Sequence, residues 1–256
     1  MKPAWYLWAA LAAPLACQAQ SGWVSLFDGK TMAGWDDPRQ KAPPGDAWTI
    51  EDGCLKAKHG PRITEDLFSK DVFRDFELEW EWKVAPGANS GVKYRIQDRV
   101  FLAHYPGHRF EDVVNFSVQN RPAQRPDHGQ EYVVGFEYQM LDNTRNSDAR
   151  VGTSHQAGAL YDVMGPSKDV TRPVGEFNES RLVVKGNHVE HWLNGAKVVE
   201  TDLDSPLAAE RCARRWGAGT PVTIDLTKQP RKDCPISLQN HGDDAWFRNV
   251  RIRRLE

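Results

Sequence analysis

One stretch of the chain decides the fold class: Phe76-Glu77-Leu78-Glu79-Trp80-Glu81-Trp82-Lys83-Val84. Apolar residues occupy every second position without a break, so one side of the segment is buried and the other is solvated. This pattern is typical of an antiparallel strand that is half exposed to water. The chain is therefore expected to contain at least one long strand of this kind.

The same period of two recurs in residues 114–118, 132–140 and 246–252. Asn194-Gly195 separates two further alternating segments and favours the tight turn of a β-hairpin. Helical periodicity is weak except in residues 207–216, where a short helix is predicted. Many short strands without βαβ alternation predict an all-β sandwich of two packed antiparallel sheets.

Two long segments, residues 97–130 and 204–235, interrupt the strand pattern. Long irregular insertions in a compact domain are often functional loops, so we predict that both form walls of a cleft. The 33 Lys and Arg residues are balanced by 35 Asp and Glu residues. With no basic excess, a nucleic-acid partner is not expected.

The N-terminal residues have the order of a signal peptide. Lys2 supplies positive charge, residues 5–16 are mostly apolar but too short to span a bilayer, and small residues precede a cut after Ala19. We predict a signal peptide over residues 1–19 and one domain over residues 20–256. The mature chain would be periplasmic or secreted and free of the membrane, with acylation of Cys17 as the alternative.

Three cysteines follow the predicted cut, and an oxidising compartment allows one disulfide. Cys212 and Cys234 are the natural pair because both lie in the same irregular segment. Cys54 is then expected to be a small buried side chain.

Alternation also indicates which polar side chains leave the core. Three segments each carry such a set: Lys93 with Arg95, Glu137 with Gln139, and Ser237 with Gln239 and His241. If the three strands are neighbours, these side chains line one polar patch that suits sugar hydroxyl groups. An ordinary solvent-facing sheet is the alternative interpretation.

Other constellations are weaker. His104 and His108 flank a Pro-Gly pair that excludes a helical metal site, and a loop metal site with His128 is left as an alternative. The sequence has no Gly-x-Ser-x-Gly nucleophile elbow and no phosphate-binding Gly-rich loop. Acyl and phosphoryl transfer therefore have no support.

Motifs from Gly22 to the C-terminus resemble those of the 3-keto-disaccharide hydrolases, a family with a concanavalin A-like jelly-roll sandwich. The matching segments are residues 23–30, 48–53, 89–95, 137–142, 158–161, 191–195 and 238–242. Two positions depart from the family pattern, because Asn240 stands in place of Asp and Phe177 in place of Trp. Residues 204–235 also form a longer segment than is usual in the family.

The resemblance implies a small carbohydrate substrate, a 3-keto-glycoside, held in a polar cleft. It assigns to that cleft Arg95, Glu137, Gln139, Asp142, Gln239 and His241, with Lys93 and Tyr161 as further substrate-binding residues. Strict alternation points Asp142 toward the core, so we predict a structural role for it.

Cleavage of such a substrate follows from the acidity of the hydrogen at C2, next to the ketone at C3. Loss of this proton, elimination of the aglycone and addition of water need a base, an acid and an enolate stabiliser. We assign Glu137 and His241 as the base and the acid, in either order, and Arg95 as the group that stabilises the enolate. A divalent cation held by Glu137 and His241 is an alternative to the arginine, and no other cofactor is expected.

Two rival functions fit the same fold class. One is a carbohydrate-binding module without catalysis. The other is a retaining glucanase, which needs paired carboxylates about 5 Å apart. Glu77, Glu79 and Glu81 share a face, but no acidic signature of such enzymes surrounds them, and we interpret them as a solvated sheet face.

Overall fold

The computed structural model describes residues 22–102, 109–120, 128–228 and 233–256. These residues form fourteen strands: β1 (Val24–Ser25), β2 (Trp35–Asp36), β3 (Trp48–Glu51), β4 (Cys54–Ala57), β5 (Ile63–Thr64), β6 (Leu67–Ser69), β7 (Phe76–Val84), β8 (Asn89–Leu102), β9 (Gly129–Leu141), β10 (Asn178–Lys185), β11 (His188–Leu193), β12 (Ala196–Asp202), β13 (Ser237–Leu238) and β14 (Ala245–Arg254). The α-helices are α1 (Phe110–Gln119), α2 (Pro206–Trp216) and α3 (Pro221–Lys228).

The strands form two sheets. The larger sheet has the order β12-β11-β10-β7-β14-β4-β3, with β1 paired to β14, and the smaller has the order β2-β6-β13-β8-β9-β5. The paired strands run antiparallel except for β5 and β9, which are parallel. The predicted all-β, concanavalin A-like sandwich of two antiparallel sheets is confirmed.

The core lies between the sheets and is built from the alternating side chains of their strands. Trp80 of β7 and Tyr138 of β9 meet edge to face with ring centroids 4.9 Å apart, a favoured aromatic geometry. The buried His191 lies between Tyr94 and the Gly158 carbonyl. Burial lowers the pKa of His191 to about 4, so the neutral ring donates from Nδ1 to the carbonyl and accepts the Tyr94 hydroxyl at Nε2.

The outer face of the larger sheet carries a ladder of ion pairs between β7 and β14. Glu77 pairs with Arg253, Glu79 with Arg251 and Glu81 with Arg248. Each carboxylate of the alternating segment therefore has its own arginine. Glu79 and Glu81 are partly exposed, as expected for a solvated sheet face, whereas Glu77 is buried between Arg253 and Arg181.

The hairpin predicted at Asn194-Gly195 is also confirmed, since β11 and β12 pair on either side of it. Both turn residues have positive φ, 47° and 80°, as a two-residue type I′ turn requires. The helix predicted over residues 207–216 is α2, which begins after the capping hydroxyl of Ser205.

One predicted strand is wrong, because residues 114–118 lie in the helix α1. Val114 is buried, whereas Phe116 is 48% exposed, so the two apolar residues do not share a face. A run of three alternating apolar residues is too short to distinguish the two periods. The helix α3 was not predicted from the sequence pattern.

The predicted disulfide is wrong as well, because none of Cys54, Cys212 and Cys234 forms a disulfide in the part of the chain that the structure describes. Cys212 lies on the buried face of α2, where burial raises its pKa to about 12. Cys234 pairs through its backbone with Phe73, and its thiol contacts the carbonyl of Ile96. The formation of α2 turns Cys212 into the core.

Several predictions fall on residues outside the described ranges. These are the signal peptide over residues 1–19 with Cys17, and the loop histidines His104 and His108. Within the ranges that the structure describes, no helix is both long and apolar enough to cross a membrane.

Candidate functional site

The three strands that carry the predicted polar side chains are neighbours in the smaller sheet. β8 lies between β13 and β9. In this register Lys93 of β8 is opposite both Glu137 of β9 and Ser237 of β13, and Gly91 is opposite Gln139. The three strands that carry the predicted polar side chains are therefore paired directly with one another.

A cleft of about 740 Å³ lies over this part of the sheet. Glu137, Gln139 and Gln239 line it from the sheet, and the exposed His241 lines it from the segment after β13. The remaining lining residues come from β8, β9, residues 151–155, Tyr161 and Asp162, and α2: Asn89, Gln130, Tyr132, Val151, Gly152, Thr153, Ser154, His155, Tyr161, Asp162, Arg211, Arg214 and Arg215.

Glu137 is a buried carboxylate of the cleft, with 7% of the residue exposed. Its carboxylate lies against Gly91, where an added Cβ would be 2.6 Å from Glu137 Oε1. Glu137 Oε2 is 3.7 Å from Lys93 Nζ. Burial raises the pKa of Glu137 even though Lys93, Arg215 and His241 act to lower it. A carboxyl group tuned in this way is suited to proton transfer.

Lys93 does not line the cleft and is only 2% exposed. Its ammonium group interacts electrostatically with the carboxylates of Glu137 and Asp66 and lies over the ring of Tyr132, 4.4 Å from the centroid. Burial acts to lower its pKa, but the two carboxylates outweigh burial and raise it. Alternation gave the side of Lys93 correctly, but the ring of Tyr132 lies over its ammonium group, so Lys93 does not line the cleft as a predicted substrate-binding residue would.

Arg95 is the second predicted site residue that lies elsewhere. The register of β8 shifts between Tyr94 and Asp98, and Arg95 has a φ of 52°. A bulge of this kind redirects the side chain. The guanidinium of Arg95 donates to the carbonyl of Gly186 at 2.6 Å and to Asp75 at 3.2 Å. Arg95 therefore ties the two sheets together, and the prediction that it lines the cleft is wrong.

Arg215 of α2, and not Arg95, places a guanidinium group in the cleft. Its guanidinium donates to Asp162 at 3.1 Å and lies over the ring of Tyr161, 4.7 Å from the centroid. Burial acts to lower the pKa of Arg215, but Tyr132, Tyr161 and Asp162 outweigh it and raise that pKa. Arg215 is therefore a permanent cation in the cleft that also acts on Glu137.

Three amide side chains in the cleft have unused hydrogen-bonding capacity. Among the described residues, Asn89 Oδ1, Gln139 Nε2 and Gln239 Oε1 are buried and have no hydrogen-bond partner. An unpaired buried polar atom costs about 1–3 kcal/mol. A bound ligand with several hydroxyl groups removes this cost, and a sugar is such a ligand.

His155 and Tyr161 complete one wall, and His155 was not predicted from the sequence. Their rings meet edge to face with centroids 4.8 Å apart, and the Tyr161 hydroxyl donates to Asp148 at 2.9 Å. His155 lies in a single 3₁₀ turn, Thr153–His155, where no strand alternation indicates its direction. Tyr161 lines the cleft as predicted.

Comparison with known proteins identifies the family. A family model described as 3-keto-alpha-glucoside-1,2-lyase-like domain matches residues 22–253. The chain belongs to this family. A relative from Bacteroides thetaiotaomicron named 3-keto-disaccharide hydrolase is 31% identical over 92% of this chain and 79% of its own length.

Solved structures agree with this membership at the level of the fold. A putative glycosyl hydrolase from Parabacteroides distasonis superposes with a TM-score of 0.66 at 24% identity, covering 92% of this chain and 94% of its own. A second from the same organism gives a TM-score of 0.60 at 25% identity, with coverages of 91% and 99%.

Two residues of the family motifs, Asp142 and Asn240, hold the backbone of neighbouring segments through hydrogen bonds. Asp142 accepts hydrogen bonds from the backbone of Gly87, Thr144 and Arg145, which outweigh burial and lower its pKa. Its predicted structural role is confirmed. Asn240 donates through its side-chain amide to the carbonyls of Ala47 and Lys58, so it fixes neighbouring loops and is not among the residues that line the cleft.

Metal-binding potential in the described residues lies outside the cleft. Two groups bring three ligand atoms within 4.8 Å of one another: His188, Glu190 and Glu200, and the buried Asp37, Glu65 and Glu131. Arg99 pairs with Asp37 and Glu131 of the buried group. Neither group contains Glu137 or His241, the pair considered for a divalent cation.

Proposed function

We propose that this protein cleaves 3-keto-glycosides by elimination and hydration. The observation that carries the proposal is the position of the buried Glu137 beside Arg215 and three unpaired amides in one sugar-sized cleft. The description of the family as 1,2-lyase-like and the name of the Bacteroides relative support the same reaction class.

Glu137 is the base in this proposal. It lies at the floor of the cleft, and its raised pKa makes the carboxylate a stronger base than an ordinary glutamate. The carboxylate takes the proton from C2, the electron pair moves into the enolate of the C3 ketone, and the bond between C1 and the glycosidic oxygen then breaks.

His241 is the acid. It is exposed at the cleft edge, the side from which an aglycone leaves to solvent, and it donates a proton to the departing oxygen. Water then adds its hydroxyl to C1 of the enone, and C2 takes up a proton. The products are the free 3-keto sugar and the alcohol.

Arg215 stabilises the enolate oxygen in place of Arg95. Asp162 and Tyr132 hold its guanidinium in place, and a preorganised cation at a developing oxyanion lowers the barrier. Asn89, Gln139 and Gln239 bind sugar hydroxyls. A site with unpaired buried amides discriminates against ligands that lack the matching hydroxyl groups.

The direct test is incubation of the purified protein with a 3-keto-disaccharide and with its unoxidised parent, each with and without chelator. We expect cleavage of the 3-keto compound alone. In D₂O the product should carry deuterium at C2 beyond the level in an enzyme-free control. Equal hydrolysis of the parent would contradict the proposal, and binding without consumption would indicate a carbohydrate-binding module.

A further inference from the structure

Three arginines follow one side of α2 and line the cleft: Arg211, Arg214 and Arg215. Residues three and four positions apart lie on the same side of a helix. Arg214 and Arg215 both pair with the single carboxylate of Asp162. This wall of the cleft therefore presents more positive than negative charge.

Arg211 differs from its two neighbours because it has no such partner. Among the described residues it makes no ion pair and no hydrogen bond, and its Nε is buried without a partner. The side chain is only partly exposed. An arginine left in this state is costly, since a partly desolvated cation normally pairs with an anion.

The dipole of α2 does not explain why an unpaired arginine stands at position 211. Cations favour the last turn of a helix because they offset its dipole, but the effect falls off within that turn. Arg214 and Arg215 lie in the last turn of α2, whereas Arg211 lies one turn earlier. The other carboxylate of the cleft, Glu137, is already beside Lys93.

We infer that Arg211 and Arg214 bind a carboxylate on the aglycone of the substrate, so that the preferred substrates are 3-keto derivatives of acidic disaccharides. Guanidinium groups match a carboxylate through two parallel hydrogen bonds. Arg214 is about half exposed, which places this wall beside the sugar unit nearer to solvent. The inference rests on the proposed function for the reaction but not for the binding.

The test compares two unoxidised ligands that differ at one group. Maltobionate carries a carboxylate where maltitol carries a hydroxymethyl group. By titration calorimetry we expect the wild-type protein to bind maltobionate about tenfold or more tightly than maltitol. Added NaCl should weaken only the binding of the acid. Equal affinities for the two ligands would overturn the inference.

Arg211→Gln should reduce the ratio of affinities to about twofold or less. Arg74→Gln is the matched control, because Arg74 is an exposed arginine paired with Asp233 and away from the cleft; it should keep the wild-type ratio. A folded Arg211→Gln variant that also keeps this ratio would contradict the inference. If that variant does not fold, Arg211→Lys should still show a smaller ratio, because a point charge lacks the guanidinium fork.

These results separate the two proposals. A preference for the acid without cleavage of any 3-keto compound would support the anion site and remove the proposed reaction. Cleavage of 3-keto-maltitol and 3-keto-maltobionate with equal kcat/KM, together with equal binding of the unoxidised pair, would support the reaction and remove the anion site.

Discussion

The two outer faces of the sandwich carry similar residues and differ in how those residues are paired. On the larger sheet, Glu79 and Glu81 each face an arginine of β14. On the smaller sheet, Glu137 lies 3.7 Å from Lys93, while Gln139 and Gln239 each leave a buried atom unpaired.

This difference separates a structural face from the proposed binding face. A partly exposed ion pair satisfies its own charges and contributes little to stability. A buried amide without a partner is costly until a ligand supplies one. The unpaired atoms, more than the presence of charge, make the smaller sheet the candidate site.

The largest expected effect comes from Glu137→Gln, which keeps size and removes the charge. Loss of the base should lower kcat by a factor on the order of 100 or more. In the wild type, kcat/KM should rise with pH through the raised pKa of Glu137, above the usual value of about 4.3. This rise of kcat/KM with pH should be absent in Glu137→Gln.

Glu79→Gln is the matched control on the other face and should leave kcat unchanged. Circular dichroism establishes that both variants are folded. A loss of kcat below about tenfold in Glu137→Gln would remove Glu137 from the role of base.

A smaller effect is expected from Arg215→Lys, because a lysine does not reproduce the guanidinium fork. We expect kcat to fall by a factor of about 10–100. Arg95→Lys should act on the free energy of unfolding, since Arg95 bridges the sheets through Asp75 and Gly186. Steady-state kinetics and urea unfolding of both variants distinguish these roles. A loss of kcat in Arg95→Lys, with only a loss of stability in Arg215→Lys, would place Arg95 in the site.

Gly91→Ala tests the space that Glu137 occupies. The new Cβ would meet Glu137 Oε1 at 2.6 Å, so the carboxylate must move, and we expect kcat to fall about tenfold or more. Gly45→Ala is the control, because no atom lies within 4 Å of a Cβ at that position. Equal activity of the two variants would show that the position of Glu137 has no effect on the rate.

The smallest effect is expected on the ion-pair ladder. Glu79→Gln should lower the free energy of unfolding by about 1 kcal/mol or less, because Arg251, its partner, is 54% exposed. Urea unfolding at low and high salt measures this change. A loss of several kcal/mol would show that the ladder is more than a solvated surface.

The sequence by itself determined the sandwich, its principal strands, the Asn194-Gly195 hairpin and the polar set of Glu137, Gln139, Gln239 and His241. Period-two alternation is a local property, because each side chain's direction follows from its position along one strand. The helix α2 was likewise visible in its own periodicity.

Only the tertiary structure decided the positions of Arg95, Lys93, Arg215 and His155. A bulge in β8 turns Arg95 toward the other sheet, and a ring from β9 covers Lys93. Arg215 reaches the cleft because α2 packs over the smaller sheet, a contact between residues far apart in sequence. Irregular backbone and long-range packing have no short-range periodicity, so alternation along a strand could not reveal them.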